Sequence, residues 1–262
     1  MAVEVSIGVP GALGPEAVRV LAPRVEAAGF AGLWLNDSPQ GDSLAGLAAA
    51  AEATTHLRLG TGVVPIDRRR PLELLADVHR TGVPEARLTL GIGSGQLRRG
   101  AVDAVADALA ALRHATSAAL VVGALGPRMR RLAAEHADGV LLSWLPLSVA
   151  AEQAAELREA GRRAQGEAPR AVLYARTIVD EAARPVLERE AAQYASYPAY
   201  AANFERLGVE AVDTTLPRAG GTLAEGVAAY AAVDELVLRA ITPTGSLDDL
   251  LAFVDEAAAQ LL

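Results

Sequence analysis

The stretch ALVVGALGPRMRRLAAEHADGVLLSWLP, residues 119–146, holds one complete structural repeat. An apolar, β-branched run over 119–124 predicts a strand. Pro127 then opens a helix at a position whose amide has no intrahelical partner in any case. Met129, Leu132, Ala133 and Ala137 follow at helical spacing and predict its inward face. The run 139–145 is the next strand, and its apolar residues are continuous rather than alternating, as in a strand covered on both faces. Two glycines, Gly123 and Gly126, crowd the turn before Pro127. One glycine suffices to turn a chain, so the second bare position predicts that something approaches the main chain closely. Gly-Pro is also ordinary helix-start punctuation, and the residues alone leave both readings open.

The same unit recurs in both directions. Strands are predicted at EVSIGV, GLWLN, LRLGTGVV and RLTLGIG before this stretch, and at AVLYARTIV and DELVLRAI after it. Helical segments separate them. One starts at Pro15 and stops at Gly29. Another starts at Pro71 with Leu72, Leu75, Ala76 and His79 predicted on its buried side. The last opens at Ser246 with Asp249 three residues on, a carboxylate variant of the capping box. Residues 183–232 predict a long, partly irregular helical stretch, and DTTLPRAGG within it predicts a surface excursion. Eight strands, each followed by helix, predict an α/β fold: a (β/α)8 TIM barrel formed as a single domain over residues 1–262.

Composition narrows the function. The 262 residues are 52% hydrophobic and 21% charged, enough for a sizeable core, and the net charge of −8 argues against nucleic-acid or anionic-membrane partners. All 24 basic side chains are arginine, read as either anion recognition by guanidinium forks or a compositional bias. With no cysteine there is no disulfide, thiol nucleophile or cysteine metal site, which fits a cytoplasmic protein. The longest apolar stretch is broken by Ser143, Pro146 and Ser148 and falls short of the ~18 residues a membrane span needs. No two histidines stand at metal-ligand spacing, so no metal is expected. His56, His79, His114 and His136 are read as structural or solvated.

In such a barrel the active site lies at the carboxyl ends of the strands. Four of these ends, GVPG, GTGVV, GIGSGQ and GALGP, are rich in glycine. GIGSGQ lacks the third glycine of a dinucleotide fingerprint, and its GSG lacks the spacing of a nucleophile elbow. Taken together, GTGVVPIDRRRP, RLTLGIGSGQ and above all GALGPRMRRLAAEHADGVLLSWLP resemble the luciferase-like monooxygenase superfamily. The resemblance is nearest to the branch that uses the deazaflavin coenzyme F420, and it covers nearly the whole chain.

The resemblance implies a flavin- or F420-dependent oxidoreductase that passes hydride between cofactor and a small organic substrate. The alternatives are an FMN-dependent monooxygenase and a non-catalytic flavin-binding barrel. It implies cofactor contacts at the loop after the fifth strand: Gly123, Ala124, Leu125, Gly126 and Pro127. It places a non-proline cis peptide at Gly62-Val63, backing the cofactor ring, with a small-residue floor at Gly93, Ser94 and Gly95. Asp37 aligns with an aspartate that meets the ring's polar edge, and on residue type it serves equally as a turn residue. Two positions depart from relatives: Ser38 replaces a histidine and Gln96 a glutamate. Gln96 can hydrogen-bond but cannot exchange a proton, so no catalytic acid is assigned. Arg68, Arg69 and Arg70 are read as a hold for an acidic cofactor tail or as a solvated loop, and Trp144 as a pocket wall or a core residue. A homodimer is expected, through flat faces of the alanine-rich second and third helices.

Overall fold

In a computed structural model, residues 3–218 and 220–262 are described. The strands are β1 (Glu4–Pro10), β2 (Gly32–Asn36), β3 (Arg58–Thr61), β4 (Val64–Pro65), β5 (Leu88–Gly93), β6 (Ala119–Gly123), β7 (Gly139–Ser143), β8 (Arg170–Thr177) and β9 (Glu235–Ala240). They pair in the order β3-β2-β1-β9-β8-β7-β6-β5-β4, and β3 also pairs with β5, which closes the sheet. Every pairing between these strands is parallel. β3 and β4 are the two halves of one stave, interrupted at residues 62 and 63, so the barrel has eight staves as predicted.

Ten α-helices wrap the staves among the described residues: α1 (Pro15–Ala27), α2 (Ser43–Ala53), α3 (Pro71–Thr81), α4 (Ala101–Arg113), α5 (Pro127–His136), α6 (Leu147–Gln165), α7 (Arg184–Ser196), α8 (Pro198–Leu207), α9 (Leu223–Ala229) and α10 (Leu247–Leu261). Each forms where its sequence stops competing with helix. α3 ends on Gly82, whose φ of 69° is left-handed. α10 begins on the Ser246 side chain, which accepts from the Asp249 amide, while the Asp249 carboxylate takes the amide and hydroxyl of Thr244.

Inside the barrel, Trp34, Val121, Leu141, Val172, Tyr174 and Val237 form one packed cluster. Below them, at the amino ends of the strands, Glu235 is buried and accepts from Ser6 Oγ at 2.6 Å, Trp34 Nε1 at 2.8 Å and Arg170 Nη2 at 3.0 Å. The floor is therefore closed by a satisfied polar network, and any opening to the barrel lies at the other end.

Two expectations are corrected. On α3 the core takes Leu74, Leu75 and Val78, whereas Leu72 is 75% exposed and Ala76 and His79 lie outside the buried face. Leucines occupy 72, 74 and 75, so two helical stripes fit the sequence and only packing chooses between them. We expect Leu72→Glu to leave the unfolding free energy of the monomer within about 0.5 kcal/mol of wild type and Leu74→Ala to cost about 2–5 kcal/mol; urea unfolding of both variants at a concentration too low for association checks this. The stretch 213–221 is also no simple surface excursion, because Thr214, Thr215 and Leu216 are buried. The Leu216 amide donates to Arg176 O at 2.8 Å and its carbonyl accepts from the Ile178 amide at 3.0 Å. The end of β8 would otherwise bury unpaired backbone groups.

Candidate active site at the barrel mouth

Alternation along a strand fixes which residues line the mouth. Leu141, Tyr174 and Val237 fill the interior, so Ser143, Arg176 and Arg239, two residues further on, face the same way one layer higher. Arg239 stands in register with Arg176 on β8 and with Gly8 on β1. The rim is chemically divided. Between β4 and β6 it carries Val63, Gly93 and Gly123, none of them charged; between β7 and β9 it carries Ser143, Arg176 and Arg239.

The bare sector is built around Val63. The Gly62-Val63 peptide is cis, as the resemblance implied. A Cβ on Gly93 would stand 2.7 Å from Val63 Cγ2, and one on Gly123 would stand 3.2 Å from Val63 Cγ1. These two glycines thus admit the Val63 side chain into the rim. Asn36 Nδ2 donates to the Gly62 carbonyl, and Asn36 Oδ1 accepts from the Tyr174 hydroxyl at 3.3 Å. Burial pushes the Tyr174 phenol well above the ordinary tyrosine range, with Arg239 and Arg176 opposing, so the group stays protonated.

The charged sector is covered by α7 and α8. Arg176 is buried, with its guanidinium carbon 4.0 Å from the Trp144 ring centre and 4.6 Å from that of Tyr194. It donates to Ser143 Oγ at 2.6 Å and to Glu190 Oε1 at 3.0 Å. Glu190 Oε2 also lies 3.6 Å from Arg239 Nη2. Burial pushes the Glu190 carboxyl up, but Arg239 and Arg176 outweigh it and hold it below the usual range, so it remains an anion. Trp144 itself takes φ 57°, an uncommon backbone state for a bulky residue, and packs with Phe204 and Ala191. It is a core residue under this cover.

The predicted site residues fall at the mouth in three groups. Asp37 is turned into the chain: its side chain is 5% exposed and pairs with Arg68 at 3.0 Å and Arg69 at 3.7 Å. It also accepts from Ser43 Oγ at 3.0 Å. Beside it the Ser38 hydroxyl is buried and, among the described residues, has no hydrogen-bond partner. Arg69 further pairs with Asp42 and Asp77, so two of the three consecutive arginines are engaged within the chain. In the second group, Ser94, Gly95 and Gln96 form a loop held to Asp67, whose carboxylate accepts from the Gln96 amide at 2.7 Å. Gln96 is exposed.

The third group, Gly123 to Pro127, leads into α5. Gly126 is its N-cap with no side chain capping it, and a Cβ there would meet nothing within 4 Å. The amides of Arg128 and Met129 have no intrahelical acceptor. The Leu125 carbonyl accepts from Arg130 Nη1 and Arg206 Nη2, both at 3.0 Å, which brings two guanidinium groups beside the helix start. Burial lowers the Arg130 pKa and nearby Arg206 lowers it further, while Glu156 opposes. All four histidines are exposed, and no metal-holding cluster of His, Asp and Glu occurs among the described residues. Nor is any described helix long and apolar enough to cross a membrane.

Sequence reasoning missed Asn36, Tyr174, Arg176, Glu190 and Arg239. A signal existed for the arginines: each interrupts an otherwise apolar strand near its carboxyl end, in LYART and LVLRA.

The mouth thus sets an uncharged sector of Val63, Gly93 and Gly123 beside the uncapped start of α5. The defining sequence pattern of the luciferase-like monooxygenases matches residues 4–99 and 99–261, so the chain belongs to that family. Similar solved structures include the coenzyme F420 dependent tetrahydromethanopterin reductase from Methanopyrus kandleri, at TM-score 0.76 and 15% identity over 100% of this chain and 99% of that one. The oxygenating constituent of 3,6-diketocamphane monooxygenase from Pseudomonas putida, solved with FMN, gives 0.68 and 15% over 98% of each chain. A monooxygenase from Streptomyces bottropensis gives 0.70 and 18% over 98% of each. At these identities the likeness is one of fold. Comparison with curated proteins finds no significant sequence match.

Proposed function

We propose that the protein is an oxidoreductase that uses coenzyme F420 to transfer hydride to or from a small organic substrate. The observation that carries this reading is the continuity of the bare sector with an uncapped helix start. Val63, Gly93 and Gly123 would back a ring, and the amides after Gly126, with Arg130 and Arg206 nearby, would receive its acidic tail. Ser94, Gly95 and Gln96 would close over the ring's edge, and Ser38 offers an unpartnered hydroxyl beside Asp37. When bound, the deazaflavin supplies the carbon that gives or takes hydride. The chain positions the two reactants, and the Asn36 amide, held by the buried Tyr174 hydroxyl, fixes the Gly62 carbonyl beneath them.

A second reading, an FMN-dependent monooxygenase, is favoured by one observation. The Asp37 carboxylate, which the F420 reading sets against the ring's polar edge, is taken up by Arg68, Arg69 and Ser43. Fluorescence titration with each cofactor decides. We expect F420 to bind more tightly than FMN and to weaken as salt rises, because tail contacts with partly exposed arginines are screened. Equal or tighter binding of FMN selects the monooxygenase, and binding of neither defeats both redox readings. A homodimer belongs to the same proposal. Only Glu52 of α2 is exposed, so α3 offers the freer face; sedimentation at high concentration tests it.

A further inference from the structure

The charged half of the rim holds more positive charge than it neutralises. Arg176 and Arg239 share one carboxylate, Glu190, which leaves one positive charge in excess. The two guanidinium groups are not equivalent. Arg176 is sealed between Trp144 and Tyr194, with hydrogen bonds to Ser143 and Glu190. Arg239 is the one residue of β9 that is not buried. Its hydrogen bond among the described residues goes to the carbonyl of Ala240, and its 3.6 Å approach to Glu190 is an ion pair longer than a hydrogen bond. A guanidinium has five N–H donors, so Arg239 keeps donors for a ligand. Among the described residues, Glu190 is the one carboxylate paired with these two guanidinium groups. It accepts from Arg176 and faces Arg239, Tyr174 below is a neutral phenol, and Ser143 is already engaged.

Position matters as much as charge. Counting along the closed sheet, β9 lies four staves from β5, which carries Gly93, and β8 lies four staves from β3, which leads to Val63. In a ring of eight these are diametrically opposed. A molecule held at Arg239 therefore faces the bare sector across the mouth, with Tyr174 and Val237 as its floor.

We propose that Arg239 recognises the substrate through a carboxylate, so that the substrate class is a small organic monoanion. Arg176 acts behind it as a positioning residue, fixing Glu190 so that Arg239 is held without being neutralised. A single negative charge balances the excess, and a planar carboxylate matches the guanidinium fork. The inference takes from the proposed function only that a substrate enters this mouth.

The test is calorimetric titration with benzoate and with benzamide, its neutral counterpart of the same shape. Wild-type protein is expected to bind benzoate at least tenfold more tightly than benzamide. Arg239→Gln is expected to lose that preference while melting within a few degrees of wild type, and Arg239→Lys, which keeps charge without the fork, to retain part of it. Equal binding of benzoate and benzamide by wild type overturns the proposal, as does an unchanged preference in a folded Arg239→Gln. If Arg239→Gln does not fold, the wild-type comparison and Arg239→Lys still decide. Titration with F420 and FMN on the same samples keeps the two ideas apart. Selective benzoate binding with no cofactor bound would uphold the anion site and defeat the redox reading. Cofactor binding with no benzoate preference would do the reverse.

Discussion

Replacing Glu235 by leucine is expected to lower the unfolding free energy by about 3–5 kcal/mol, the range for removing one partner from a buried charged network. The side chain is 5% exposed, and its carboxylate is the shared acceptor for Ser6, Trp34 and Arg170, with Arg58 Nη2 at 3.6 Å. Leucine of similar volume would satisfy none of these donors. Because the Trp34 indole and the Ser6 hydroxyl would be left without their acceptor, while Arg58 and Arg170 would keep only Glu4 as a carboxylate partner, the loss comes from stranded polar groups more than from a lost attraction. Glu235→Gln separates the two effects. It keeps an oxygen for Ser6 or Trp34 but cannot balance the arginines, and its loss is expected to be smaller. Urea unfolding at constant salt gives both values; a leucine variant within about 1 kcal/mol of wild type would mean that water relieves the floor.

Gly91→Ala is the second large expected effect, and it acts on the site as well as on stability. Gly91 lies opposite the break between β3 and β4, where a Cβ would stand 2.0 Å from the Thr61 carbonyl oxygen. That oxygen belongs to backbone, which cannot rotate away as a side-chain tip can. The same two residues are locked by reciprocal bonds, Gly91 amide to Thr61 Oγ1 at 2.8 Å and Thr61 Oγ1 to Gly91 carbonyl at 2.9 Å. Relief requires β5 to move from the third stave. A cost at or above the top of the overpacking range, about 3 kcal/mol, is expected. Because Val63 follows Thr61 by two residues, the shift also displaces the proposed wall of the cofactor pocket, and cofactor affinity should fall at least tenfold. A normal melting temperature together with normal cofactor titration would contradict both halves of this expectation.

Most of the barrel was legible because its determinants are local. Continuous apolar runs such as GVLLSWL, prolines at helix starts and glycines at helix ends act within a few residues of one another, and the eight staves follow from them. The candidate site was legible on its bare side for the same reason, since the Gly123–Pro127 turn is a short motif. Its charged side was not. Arg176 meets Glu190 on a helix fourteen residues later, and Asp37 meets Arg68 thirty-one residues away. Such pairs are set by how α7 and the loop after β4 fold back over the mouth. Nothing in the residue types announces that Asp37 is taken up by neighbouring arginines. The stripe of α3 failed for a different reason, because leucines on adjacent faces made the period ambiguous.

The division of the rim also follows the order of the chain. Its bare side comes from Asn36, Gly62, Val63, Gly93 and Gly123, and its charged side from Ser143, Arg176, Glu190 and Arg239. α5 is the seam between them, with its outer surface carrying Arg128 and Arg131 into solvent. The protein can therefore be recombined at that helix, exchanging the carboxyl-terminal half-barrel with one from a relative while retaining the first half intact. Chimeras joined there should trade substrate preference and keep cofactor preference where the incoming half retains an arginine at the position of Arg206, whereas a junction inside β8 would separate Tyr174 from Arg176 and mix the two properties.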